Sequence, residues 1–94
     1  MTTKAVVSPL SILLRKVKVP PDWISKENQV SMITYRLTKK VNSDIGKIVI
    51  DIIIDDWGNG YYDLTIKVYS VIFNIDEIVN KLGIQPSGKI EVLT

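Results

Sequence analysis

Four carboxylates crowd one short region of this chain: Asp51, Asp55, Asp56 and Asp63. A Gly58-Asn59-Gly60 turn brings them toward one hairpin tip. Carboxylate oxygens are hard ligands that suit Mg²⁺, Mn²⁺ or Ca²⁺. Two of them facing each other across a ladder could share such an ion, as in nuclease-like sites. The surrounding sequence does not support that chemistry. It supplies no histidine, no lysine at a helping distance and no EF-hand spacing. Surface carboxylate clusters are more often structural, so the reading is a solvated acidic tip. Its repulsion is relieved by water or by a basic partner surface. No catalytic residue, metal ligand or cofactor contact is assigned.

The wider inventory points the same way. The chain has no Cys and no His, which removes thiolate chemistry, disulfides and the commonest general base. The serines have no His partner and no G-x-S-x-G context. The Gly-Asn-Gly element joins two strands and lacks the GxxxxGK[ST] pattern of a phosphate loop. An enzyme is not expected.

A second constellation is basic. Tyr35, Arg36, Lys39, Lys40 and Lys47 flank a turn near 42–46. Lysines there would meet phosphates and Tyr35 would stack on a base, so these five are the candidate nucleic-acid contacts. Arg15, Lys16 and Lys18 form another cluster. The chain shows no RNA-recognition, KH, zinc-finger or basic-zipper signature, and its two arginines are few for phosphate forks. Charge is uneven along the chain. Residues 1–47 carry net +6 and residues 48–94 net −4, for a total of +2. This suits an anionic partner for the first half, or attraction between the halves within or between molecules.

These side chains depend on the elements that carry them, and the stretch from Lys47 to Phe73 leads. It reads as a long hairpin, 47–57 and 61–73. Side chains alternate along a strand, so Ile48, Ile50, Ile52 and Ile54 share one face with Tyr62, Leu64, Ile66, Val68 and Ile72. A two-residue turn would mismatch those faces, which a buried sheet resists. A three-residue loop with Gly60 in the left-handed bulge position aligns Ile54 with Leu64 and Asp51 with Lys67. It also sets Asp55 against Asp63, which is destabilising unless compensated. The other face carries Val49, Ile53, Tyr61, Tyr69, Val71 and Phe73, interleaved with Asp51, Thr65 and Lys67. That mixture is too apolar for a plain solvent side and too charged for a dry core. It matches interface composition, so Val49, Ile53, Tyr61, Tyr69 and Val71 are the candidate self-association face. Cover from within the chain is the alternative.

Around the hairpin, Thr2 to Val7 reads as a short strand. Ser8-Pro9 looks like a helix start. Leu10, Leu13, Leu14 and Val17 follow at helical spacing, which predicts a short helix over 9–17; alternation from Ile12 to Val19 keeps a strand open. Pro20-Pro21 ends that element, and Trp23 is expected to close the core edge. Gln29 to Thr38 reads as a strand rich in Val, Ile, Thr and Tyr, with one long helix over 23–40 as the alternative. Asn74 with Glu77 forms a capping box, Phe73 and Ile78 a staple, and Gly83 a left-handed stop, predicting a helix over 74–82. Lys89 to Leu93 would add a last strand at the sheet edge.

The expected fold is therefore one small α+β domain over 1–94: an antiparallel sheet of three to five strands built on the hairpin, with the 74–82 helix packed on its Ile-rich face. Fifteen Ile against one Ala, with abundant Lys and no Cys, give a thermophile-like composition. No secretory signal and no run of about 18 apolar residues appear, so a cytoplasmic chain with no membrane partner is expected. The favoured function is a small non-enzymatic interaction or assembly protein that self-associates, as a homo-oligomer, through a sheet face or edge. A nucleic-acid-binding accessory protein using the Lys-rich half is the alternative.

Overall fold

Ile-rich strands that alternate inside and outside need a second layer on one side only, and the computed structural model has that arrangement. It describes residues 2–4, 10–31, 33–70, 72–86 and 90–93. In chain order the elements are β1 (Thr2–Lys4), β2 (Leu10–Lys18), β3 (Thr34–Ser43), β4 (Gly46–Asp56), β5 (Tyr62–Tyr69), β6 (Ile72–Asn74), α1 (Ile75–Leu82), β7 (Gln85–Pro86) and β8 (Ile90–Leu93), with two single 3-10 turns between β2 and β3. Strands β3-β4-β5-β2 form an antiparallel sheet, and both β7 and β8 pair along the outer side of β2. β1 pairs with β6 as a separate ribbon. The chain is thus α+β and mostly strand.

The central hairpin has the expected register. Ile54 faces Leu64, Ile52 faces Ile66, and Asp51 lies opposite Lys67. The Trp57 amide donates to the Tyr61 carbonyl, closing a three-residue loop in which Gly60 sits at φ +85°. A side chain at that φ would be strained, which is why glycine stands there. The second strand is shorter than 61–73, however. It stops at Tyr69, and the chain re-enters a different ribbon at β6. Phe73 consequently lies in the core at 2% exposure, not on the second face.

The N-terminal helix expected over 9–17 is absent, and Leu10–Lys18 is strand β2. The physical reason is a β-bulge. Leu14 pairs with Leu64 and Val17 with Tyr62, so β2 spends three residues where β5 spends two. Lys16 takes φ +53° at the extra position. Ile12, Leu14 and Val17 all point into the core. The bulge turns a two-residue period into a local three-residue step, which imitates helical spacing. Ser8 and Pro9, the supposed cap, lie outside the described residues.

β3 is a strand as expected, shifted to Thr34–Ser43. Ahead of it the Val30 and Ser31 amides both donate to the Thr34 carbonyl, so these residues turn back on the start of β3 rather than extend it. A two-residue turn, Asp44-Ile45, then leads into β4, with Ser43 paired to Gly46.

The core lies on the Ile-rich face. Ile50, Ile52, Ile54, Leu64, Ile66 and Val68 are essentially inaccessible, and Ile75, Ile78, Val79 and Leu82 of α1 join the same buried cluster. Trp23 closes its margin at 3% exposure. The Asn74 carboxamide oxygen accepts from the Glu77 amide at 3.1 Å. At the far end the Gly83 and Ile84 amides donate to Asn80 and Val79, with Gly83 left-handed, which completes a Schellman stop. No helix among the described residues is long and apolar enough to cross a membrane.

Candidate functional site

All cover sits on one side, so the opposite side of the four-stranded sheet is open among the described elements. Strand parity and register place its side chains in rows. Thr34, Asp55 and Asp63 form a row nearest the hairpin tip. Arg36, Ile53, Thr65 and Leu13 follow, then Thr38, Asp51, Lys67 and Ser11. Lys40, Val49 and Tyr69 form the next, and Asn42 with Lys47 the last. Val49 is 36% exposed and Tyr69 44%, whereas Ile53, Thr65 and Leu13 are half-buried. A shallow cleft of about 360 Å³ runs through the middle, bordered by Arg36, Thr38, Asp51, Ile53, Lys67 and Tyr69.

Asp51 organises that cleft. Its carboxylate accepts from the Thr38 hydroxyl at 2.8 Å. It also holds the Tyr69 hydroxyl, and this hydrogen bond is the main cause that raises the Tyr69 pKa above its usual value; partial loss of water and the negative charge of Asp51 add to it. Lys67 lies across the ladder from Asp51, whose carboxylate turns to the Thr38 hydroxyl on the other neighbouring strand.

The acidic tip resolves its own repulsion. Asp55 does face Asp63. Asp63 turns toward β2, where it accepts the Lys16 amide at 2.9 Å. Asp55 turns toward β3 and accepts from the Thr34 hydroxyl at 3.3 Å. Asp56 accepts the Gly58 amide at 2.7 Å inside the turn. The carboxylates serve three different backbone or side-chain partners and do not converge. Among the described residues, no group of three or more acidic side chains is arranged to hold a metal ion.

Of the five self-association candidates, Val49, Ile53 and Tyr69 stand together on the open face. Tyr61 lies beyond them at the hairpin mouth, with the Lys18 ammonium 5.4 Å from its ring centre. Val71 lies outside the described residues. The five nucleic-acid candidates are divided by strand parity. Arg36, Lys40 and Lys47 share the open face, while Tyr35 and Lys39 point to the core side. Tyr35 is packed against the core, and the Lys39 ammonium sits 5.5 Å over the Trp23 ring. Tyr69, not Tyr35, is the aromatic beside the exposed cations. Sequence reasoning also missed Leu13 and Ser11 as members of the face. The alternation of Ser11 and Leu13 with Ile12 and Leu14 was the available signal, masked by the bulge three residues on.

Comparison with protein-family models, with curated proteins and with solved structures finds no match to this chain.

Proposed function

We propose that this protein is a small non-enzymatic assembly module whose copies associate through the open sheet face. The observation that carries this reading is the face itself: a half-apolar surface across four strands, uncovered among the described residues, with opposite charges at its two ends. Asp55 and Asp63 stand at the hairpin tip, and Lys40 and Lys47 at the other end of the same strands. Eight residues separate Asp55 from Lys47, about 27 Å of strand. A two-fold axis across the strands would lay each acidic row over the partner's basic row and bring Val49, Ile53 and Tyr69 together at the centre. Such a surface is self-complementary, as an isologous dimer requires, and two stacked sheets would bury it.

The β3 edge is less suited to self-pairing. A two-fold through Thr38 would set Arg36 of each copy against Lys40 of the other, and like charges directly opposite are destabilising. Sedimentation or light scattering over a wide concentration range tests the face. Dimers are expected that weaken as salt rises and vanish in Val49→Glu; a wild-type chain that stays monomeric at millimolar concentration sinks the proposal.

One observation favours a second reading, nucleic-acid binding: Arg36, Lys40, Lys47 and Lys67 share the face with exposed Tyr69. Asp51, Asp55 and Asp63 on that face would repel phosphates, so it ranks second. Titrating a single-stranded oligonucleotide at low salt decides it, because phosphate contacts weaken steeply as salt rises. Absence of binding there removes this reading.

A further inference from the structure

The outer edge of β3 carries a second surface, which borders the open face at Arg36 and Lys40. In β3 the even-numbered residues turn their backbone groups away from β4. Thr34 shows this with a carbonyl that accepts the Val30 and Ser31 amides, and Asn42 with a carbonyl that accepts the Lys81 ammonium. Between those two points the outward amides and carbonyls of Thr38 and Lys40 have no strand partner among the described residues. A cleft of about 410 Å³ adjoins this gap, lined by Trp23, Lys39, Lys40, Val41, Asn42, Lys81 and Leu82. Of its lining residues Trp23, Val41 and Leu82 are buried, and the charged ones are Lys39, Lys40 and Lys81. The nearest acid, Glu77, lies 3.6 Å from the Lys81 ammonium. On the other side of the strand Arg36 and Lys40 flank Thr38.

We propose that this edge and cleft receive an extended acidic peptide segment of a partner protein. The segment would add as a strand beside β3, exchanging backbone hydrogen bonds with Thr38 and Lys40. Carboxylates on its cleft side would sit between Lys39 and Lys81 against the Trp23 ring, and one on its other side between Arg36 and Lys40. The positive charge on both sides of the strand selects the occupant. It opposes a second copy of β3, and it opposes a basic or neutral segment less well than it attracts an acidic one. Lys81 would exchange its bond to the Asn42 carbonyl for a carboxylate of the guest.

The test uses the full chain carrying Trp57→Phe, so that Trp23 is the sole tryptophan reporter, and a short blocked peptide of Val and Glu in Val-Val-Glu-Glu repeats, which sets Glu on both sides of the added strand. Saturable binding is expected, seen in Trp23 fluorescence and as slowed exchange of the Thr38 and Lys40 amides. The Lys39→Glu/Lys81→Glu variant should bind about tenfold or more weakly. A peptide N-methylated at the strand-facing amides should lose binding, and the Val/Lys analogue should not bind. Equal affinity for the N-methylated peptide, unchanged exchange at Thr38 and Lys40, or no binding at millimolar peptide overturns the proposal. Tyr69→Glu, which disrupts the open face two strands away from Lys40, should leave peptide binding intact; its loss in that variant would also overturn the assignment to the β3 edge.

Discussion

The hydroxyl of Tyr69 reports on the centre of the open face, because the neighbouring Asp51 carboxylate favours its protonated form. The Asp51 bond stabilises the protonated phenol, so the folded pKa lies above the ordinary 10.0. For a group raised in this way the stabilisation is complete below the unfolded pKa and is lost as pH rises through the folded one. Site-resolved NMR titration should place Tyr69 above 10, and Asp51→Asn should bring it down. Tyr62 is also raised, but first by burial and then by Asp56; it should not move in that variant, and a parallel shift of both would refute the assignment. At the tip, Asp55 and Asp63 face each other but do unequal jobs. Asp63→Ala removes an acceptor from the Lys16 amide and should cost about 1 kcal/mol. Asp55→Asn keeps an acceptor for Thr34 while removing a like charge, and should be neutral or stabilising by a few tenths of a kcal/mol. Urea unfolding of the two variants checks the opposite signs.

At the scale of elements, local signals were legible wherever they were self-contained. The helix could be read from Asn74, Glu77 and Gly83 because caps act within one turn, and Asn74→Ala should cost about 1 kcal/mol in thermal or urea unfolding. The hairpin could be read because face matching leaves one loop length. β2 could not. Its bulge exists to let Val17 and Tyr62 pair past the extra residue, and that is a property of β5 as much as of β2. The start of β3 was misplaced for a similar reason: Val30 and Ile33 look like strand residues, yet both are highly exposed where the chain turns back on Thr34. The candidate site shows the same pattern. Val49, Ile53 and Tyr69 followed from parity, but Tyr35 and Arg36 were grouped by closeness in sequence, and parity sends neighbours to opposite sides.

For the whole molecule, the radius of gyration is 12.7 Å, close to the ~12 Å expected of a folded chain this long. The open face is therefore a feature of a compact body. The strand order has a kinetic consequence. β3, β4 and β5 are joined by short turns, whereas β2 pairs with β5 about fifty residues later and with β8 later still. Closing such long loops costs entropy before any contact rewards it. The meander should therefore form the folding nucleus, with β2 docking afterwards. Stopped-flow φ-values near 0.5–0.8 are expected for Ile52→Val and Ile66→Val, and near 0–0.3 for Ile12→Val; the reverse order would contradict this. During synthesis β2 emerges well before the strands that pair with it. Until β5 and β8 leave the ribosome, Ile12, Leu14 and Val17 have nothing to pair with, and this early stripe is where a chaperone would be needed.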